Sequence, residues 1–561
     1  MIAKTYTCSL LGIDVVRNER IAVISILLLG LLLAGCSNDS RKGTEERHGG
    51  ALVFDSGPVV RNDSGIYKGI PYAAPPKGKL RWQPPQPVAG WTEPRAFDEF
   101  GPACPQSGYD GRMDEDCLSL NVWTPAHREN EKLPVMVWIH GGAFLSGSGS
   151  DELYDGTALS KKGVVVVTLN YRLGSFGFLA HPLLSAESPS KISGNYGLLD
   201  QIAALQWVQR NIAGFGGDPQ KVTIFGESAG ATSVSLLLVS PMAGGLFHSA
   251  IAESPVMAGS LRPLRSEEFH VVPAETVGMR LAEKMGIPDG PDALDALRKA
   301  SWDTIQKATA GLGAELGVEV LNLVCSPTVD GYVIPDHPVR MFREGRQLRV
   351  PLMTGTTANE STIFLPLLIT SKTGPGEYRK YVEKAFPGDA ERVLELAPAG
   401  STAETWECFD RLISAKWFGA WADFMARSAG KEGVPTWLYR FSKKPPPWAA
   451  EILLADSSDT DISSEKLGVP HGSELYYVFG FMEFLPGFDD EDGKFSDRII
   501  SYWTNFAKTG DPNGNGLAQW PGYGTEHRRD YLYLGVEMRA GSRLDAELYR
   551  LIEKTWLNTV Y

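Results

Sequence analysis

A hydroxyl, an imidazole and a carboxylate held in line can turn a serine into a nucleophile that attacks a carbonyl carbon. This chain offers a strong serine for that chemistry in "KVTIFGESAGATSV", Lys221 to Val234. There the β-rich Val222-Thr223-Ile224-Phe225 runs straight into Gly226-Glu227-Ser228-Ala229-Gly230. G-x-S-x-G between a strand and a helix is the pattern of a nucleophile elbow, a sharp turn that lifts the serine above a sheet. Small residues flank it because the turn is strained and crowded. With 60 Gly in the chain the bare pattern also arises by chance, so its surroundings must decide.

Ester attack puts negative charge on the carbonyl oxygen, and backbone N–H groups fixed around that oxygen stabilise it. His140-Gly141-Gly142-Ala143-Phe144 follows the apolar run "VMVWI", and glycines there let the backbone approach a substrate closely. Gly141, Gly142 and the N–H of Ala229 are the expected oxyanion donors. The base comes from a short choice: of nine His, only His270, His337, His471 and His527 follow Ser228 at a useful distance. His337 precedes a proline in a turn, His270 comes before any plausible acid-bearing strand, and His527 stands beside two arginines that oppose imidazolium formation. His471, in Pro470-His471-Gly472-Ser473-Glu474-Leu475, is the expected base, presented by a loop. For the acid, "RVPLMTGTTANEST" offers Val350–Met353 as strand, Gly355 as turn and Glu360 on the loop. Asp330 in "TVDGYV" is the runner-up.

These residues need a scaffold of alternating elements. "LPVMVWIH" and "GVVVVTLNYRLG" are nearly unbroken apolar runs, as in strands buried on both faces. "GNYGLLDQIAALQWVQRNI" places Leu198, Ile202, Leu205, Val208 and Ile212 at helical spacing. Strand, helix, strand, elbow, helix is an α/β order, which predicts a central mostly parallel sheet flanked by helices, with large loop insertions.

The 561 residues, 43% hydrophobic and 22% charged, are those of a globular protein. A net charge of −13 argues against a nucleic-acid partner, which needs concentrated Lys and Arg. At the N-terminus "IAVISILLLGLLLAGC" is too short for a membrane span and suits a signal-peptide core. Leu33-Ala34-Gly35-Cys36 is similar to a bacterial lipobox. Residues 1–36 are therefore expected to be a lipoprotein signal ending at a lipidated Cys36. Residues 37–50 are expected to form a flexible tether, and 51–561 a single domain, exported and held at the outer membrane or cell surface by the lipid. In that oxidising setting the spacing of Cys104 and Cys117 suits a local disulfide. Cys325 and Cys408 read as buried free thiols. No His/Cys cluster has zinc spacing, and no cofactor is expected.

Taken together the chain resembles the type B carboxylesterases of the α/β-hydrolase fold, a family that includes cholinesterases and bacterial para-nitrobenzyl esterases. The resemblance spans nearly everything from about residue 50 onward. It is carried by "YKGIPYAAPPKGKLRW", "EDCLSLNVWTP", "VWIHGGAF", "NYRLGSFGFL", "GFGGDPQKVTIFGESAG", "PTVDG", "HGSEL" and "SDRIISYWTNFAKTGDPN". It implies Ser228 as nucleophile, Glu360 as acid, His471 as base, a Cys104–Cys117 disulfide, and a small-molecule ester as substrate. The family's usual "GTNKDEG" loop is altered here, with Thr357 and Ser361 replacing Asn and Gly. Between Cys104 and Cys117 no Trp stands where cholinesterases carry one for a quaternary ammonium, which points toward the simpler bacterial esterases. Two other readings remain open at this level: an inactive adhesion protein on the same fold, and an amidase or thioesterase using the same triad.

Overall fold

Runs of β-branched and aromatic residues become strands, and ten of them join in one sheet. The computed structural model describes residues 52–560 apart from 130, 257–260, 317–323, 371, 447–463, 482–486 and 525–528; the expected signal, Cys36 and the tether lie outside the described residues. In chain order the strands are β1 (Ile66–Pro71), β2 (Ser119–Trp123), β3 (Leu133–Ile139), β4 (Val165–Leu169), β5 (Gly217–Glu227), β6 (Ser249–Glu253), β7 (Leu352–Thr357), β8 (Thr436–Phe441), β9 (Asp530–Leu534) and β10 (Arg539–Ser542). Their spatial order is β10-β9-β8-β7-β6-β5-β3-β4-β2-β1. The six inner pairings from β4 to β9 are parallel, and the edge strands β1, β2 and β10 pair antiparallel. This is the expected mostly parallel sheet.

Alternation along each strand divides the core in two. Val135, Val137, Ile139, Val165, Val167, Val222, Ile224, Ala250 and Ala252 face one side. There they meet α1 (Tyr196–Asn211), α2 (Ala229–Val239), α4 (Ala420–Lys431) and α6 (Ala546–Val560). Leu198, Ile202, Leu205, Val208 and Ile212, the predicted helical stripe, are all buried in that layer. Met136, Trp138, Val166, Phe225, Ile251, Met353 and Tyr439 face the other side, covered chiefly by Phe495, Ile499, Tyr502, Trp503 and Phe506 of α5 (Asp490–Thr509). Burying both faces is what the unbroken apolar runs require.

One expectation is corrected. The strand toward Glu360 is not Val350–Met353 with a turn at Gly355; it runs Leu352–Thr357 and Gly355 lies inside it. Gly355 pairs with Glu253 on one side and Tyr439 on the other. A Cβ there would meet the Tyr439 ring at 2.3 Å. This glycine makes room for an aromatic ring across the ladder instead of turning the chain. The chain reverses after it, so Glu360 still reaches the end of the sheet.

Candidate active site

Open parallel sheets present their chemistry at the carboxyl ends of strands, where the winding direction reverses. Here that point lies between β3 and β5. His140–Phe144 leave β3 and Ser228 leaves β5, side by side; β6, β7 and β8 add Ser254, Glu360 and the loop to His471.

Ser228 sits at φ 57°, ψ −120°, between β5 and α2. A non-glycine residue there costs of order 1–3 kcal/mol and persists only where its surroundings hold it. Its N–H donates to Glu253 O at 2.9 Å, and its carbonyl receives the Thr232 N–H at 2.8 Å. The flanking glycines are sterically required. A Cβ on Gly226 would stand 2.6 Å from Ile139 O, and one on Gly230 would stand 1.9 Å from the same atom. The elbow is thereby pressed onto the end of β3. Ser228 is half-buried.

Glu360 and His471 form the expected pair. Glu360 Oε2 lies 2.5 Å from His471 Nδ1, while Glu360 Oε1 accepts from Ser254 Oγ at 2.5 Å and the Thr357 N–H at 2.6 Å. Both residues are buried. The imidazole packs against Phe418 and Phe364, with ring centroids 4.7 and 5.5 Å away. Phe418 comes from a single π-helical turn, Ala415–Gly419, a distortion that often marks functional sites. The other imidazole nitrogen, Nε2, lies 2.9 Å from Glu227 Oε1. That contact is at ion-pair distance without hydrogen-bond alignment. Burial disfavours the imidazolium, but the charges of Glu227 and Glu360 outweigh it and raise His471 well above the usual histidine range.

Gly141 backs this centre: a Cβ on it would lie 2.9 Å from Glu227 Oε2 and 3.2 Å from Ser228 Cβ. Gly142, Ala143 and Phe144 follow with φ of 98°, 54° and 61°, so the strand ends in a run of left-handed backbone. Gly142 O accepts from Leu145 and Ser146, closing that turn. Ala143, which was not among the expected donors, shares the left-handed conformation of Gly142. His140 is stacked on Tyr171 at 4.4 Å, and burial lowers its pKa to about 4.

The other candidates lie elsewhere. Asp330 receives Asn195 Nδ2 at 2.9 Å and the N–H groups of Tyr332 and Ile334, so it caps its own turn. His337 is buried at a helix N-terminus, accepting from the Val339 N–H. His527 lies outside the described residues, and His270 stands in a short helical turn, Glu268–His270. Cys104 and Cys117 are joined. Cys325 is free and buried; Cys408, free as well, is half-exposed rather than buried, because it sits at the edge of the apolar stripe of α3 (Thr402–Ser414). Among the described residues no group of His, Cys, Asp and Glu could hold a metal ion.

Sequence reasoning missed a layer of acids behind Ser228, His471 and Glu360. Glu227 and Glu253 are register partners on β5 and β6. Glu253 accepts from Trp503 Nε1 at 2.9 Å; Glu474 accepts from Tyr439 OH at 3.2 Å and Ser254 Oγ at 3.4 Å. Burial, then the charges of Glu360 and Glu227, push Glu474 up to about 8; burial and the Glu474 charge raise Glu253 well above the carboxylate range. Glu227 was visible as the first variable residue of the elbow. Glu253 and Glu474 gave no local signal.

Residues 58–552 match the family described as the carboxylesterase family. Fumonisin B1 esterase of Sphingopyxis macrogoltabida is 35% identical over 500 residues, covering 86% of this chain and 86% of that protein. Para-nitrobenzyl esterase of Bacillus subtilis is 36% identical over 492 residues, covering 84% and 91%. The crystal structure of a Geobacillus stearothermophilus carboxylesterase superposes with a TM-score of 0.75 at 33% identity, covering 89% of this chain and 99% of that one.

Proposed function

The chain belongs to the carboxylesterase family and is a carboxylic ester hydrolase, and from that premise we propose that Ser228 is its nucleophile, His471 its base and Glu360 the acid that orients the base. The observation that carries the reading is the 2.5 Å contact of Glu360 with His471 Nδ1, next to a serine held in the strained elbow. With Nδ1–H donated to Glu360, Nε2 is the atom that takes the Ser228 proton as Oγ attacks the ester carbonyl. Glu360 stabilises the imidazolium that results. The tetrahedral oxyanion is received by N–H groups of the Gly141–Ala143 turn and Ala229. His471 then protonates the departing alcohol. Water, activated by the same imidazole, releases the acid from the acyl-enzyme. Neutral, moderately hydrophobic esters suit a base flanked by the half-buried ring of Phe364.

The test is turnover of p-nitrophenyl esters of graded acyl length by the wild type and by Ser228→Ala, His471→Ala and Glu360→Gln. Folding is checked by circular dichroism. Losses on the order of 10⁴- to 10⁶-fold are expected for members of one catalytic unit. Near-native activity in Ser228→Ala would end the assignment, and in Glu360→Gln would move the acid elsewhere.

Cell-surface anchoring through a lipid on Cys36 is part of the same reading and rests on the lipobox-like Leu33-Ala34-Gly35-Cys36. No helix of the described residues is long and apolar enough to cross a membrane, so such an anchor would lie in the N-terminal segment. Detergent partition and intact mass of the native protein against Cys36→Ala test it; an aqueous wild type with an unmodified Cys36 refutes it.

A further inference from the structure

The loop that carries Glu360 and the loop that carries His471 are sewn together by the residue just before the acid. Asn359 donates its N–H to Val469 O at 3.0 Å, and its Oδ1 accepts the Val469 N–H at 3.0 Å. Val469 stands two residues before the base. Close by, Thr362 Oγ1 donates to Leu467 O at 2.8 Å. The side chain of Asn359 is thus used at both ends, because Nδ2 donates to Asp410 Oδ2 at 2.8 Å.

Asp410 is buried on α3. Its Oδ1 accepts from Ser361 Oγ at 2.8 Å and Ser414 Oγ at 2.9 Å, and Ser414 Oγ in turn receives the Ser361 N–H at 3.0 Å. Both residues flanking Glu360 therefore end on one carboxylate. Burial raises the Asp410 carboxyl, opposed by its hydrogen bonds from Asn359, Ser361 and Ser414 and by the charge of Arg440 of β8, which donates to Ala358 O at 2.6 Å. Immediately after Ser414 the same helix passes into the π-helical turn that presses Phe418 on His471. One helix therefore holds the acid loop by hydrogen bonds and the imidazole ring by packing.

We propose that Asn359 and Asp410 are positioning residues for the esterase reaction: a buried amide–carboxylate pair that fixes Glu360 against His471 Nδ1. This rests on the assignment of Glu360 and His471 as acid and base. Backbone contacts alone would leave the Glu360 side chain free to follow loop motion. The pair ties it to α3 on one side and to the base loop on the other.

The experiment compares Asn359→Asp, Asp410→Asn and the exchanged double variant. Asn359→Asp sets two carboxylates against each other where a 2.8 Å hydrogen bond stood. The double variant restores the pattern, because Asn at 410 can donate to Asp at 359 while its carbonyl accepts from Ser361 and Ser414. Misplacing a catalytic group by about 1 Å costs on the order of 10²-fold. We expect Asn359→Asp to lose about that factor in kcat with KM little changed, Asp410→Asn to lose less, and the exchange to recover most of the loss. The charged groups facing His471 are Glu227 and Glu360, with Glu474 next to them. Loosening Glu360 should therefore also move the acidic limb of kcat/KM to lower pH, read in Asn359→Ala because that change adds no charge of its own; a purely structural role would not move it. Wild-type kcat in Asn359→Asp with an unmoved limb in Asn359→Ala, or an exchange no better than Asn359→Asp, would overturn the proposal. Glu360→Gln separates the two levels: an active Glu360→Gln refutes the triad itself. An inactive Glu360→Gln beside a fully active Asn359→Asp refutes only the brace.

Discussion

Nε2 of His471 lies 2.9 Å from Oε1 of Glu227, the residue directly before Ser228 in the elbow. The imidazole thus stands between two carboxylates, one on each nitrogen. In the proposed triad Glu360 orients the base, whereas Glu227 stands at the nitrogen that would serve Ser228. The resting arrangement favours imidazolium, and turnover needs the neutral ring.

That competition has a pH signature. The acidic limb of kcat/KM reports the free enzyme, and His471 is raised well above the usual histidine value of about 6.5 by Glu227 and Glu360 against the opposing effect of burial. Removing one of the two charges lowers it. Glu227→Gln should therefore carry the limb toward lower pH, so that the variant keeps a larger share of its maximal kcat/KM in mild acid. A limb that stays in place would mean Glu227 does not act on the base.

Glu474 predicts the pH dependence of stability. Its folded value, about 8, is raised by burial and by Glu360 and Glu227 above an unfolded value near 4.5. The native state binds this proton more tightly than the unfolded chain. Its contribution is thus complete below about pH 4.5 and is lost as pH rises through about 8. Glu474→Gln cannot ionise. Denaturant midpoints should show the variant gaining on the wild type between about pH 5 and about pH 9; parallel curves would show that Glu474 does not titrate in this range.

Gly230 tests the packing of the elbow on β3. Its Cβ would lie 1.9 Å from Ile139 O and 2.9 Å from Ile139 C, both backbone atoms that cannot swing aside. Gly230→Ala should cost about 1–3 kcal/mol as overpacking and lower kcat as well, since the first turn of α2 carries the Ala229 N–H. Thermal unfolding and ester turnover measured on one sample check both. Wild-type values for the two would show that the β3 end yields freely.

The segment between Cys104 and Cys117 bears on substrate charge. A quaternary ammonium is held by aromatic faces, worth ~0.5–2 kcal/mol per contact, and Tyr109 is the only aromatic residue of that segment. The net charge of −13 can speed encounter with cations but does not seat a carbonyl at Ser228. An uncharged ester should exceed butyrylcholine in kcat/KM when size and leaving group are matched. Preference for the choline ester that survives high salt, where steering is screened, would place a cation subsite elsewhere in the pocket.

The legible part of this molecule was the part written in local pattern. The valine-rich run Val165–Leu169 showed burial on both faces, and the stripe from Leu198 to Ile212 a helix against the sheet. The elbow at Ser228 and the loops of His471 and Glu360 stood out by the small or turn-forming residues around them, and the structure brings the last two into contact. Gly355 misled, because its reason is the ring of Tyr439 on a neighbouring strand some eighty residues away, and nothing near Gly355 records that ring. Glu253 and Glu474 were illegible for a related reason. Each is one glutamate among many until β6 and the His471 loop converge around Ser254. Asn359 carried no local signal, since its partners come from Val469 and Asp410.

One face of the sheet depends chiefly on α5, whose Trp503 reaches Glu253 beneath the elbow. During synthesis the strands from β1 to β8 leave the ribosome long before Asp490–Thr509 does. Until that helix arrives, Trp138 and Phe225 have Tyr154 and Phe479 against them but not the α5 rings, and the indole that satisfies Glu253 does not yet exist. A nascent chain stopped short of α5 presents a half-covered apolar sheet, the kind of surface that holdase chaperones bind and that drives aggregation. The helix is thus a late keystone: the machinery at the other end of the sheet can settle only when almost the whole polypeptide has been made.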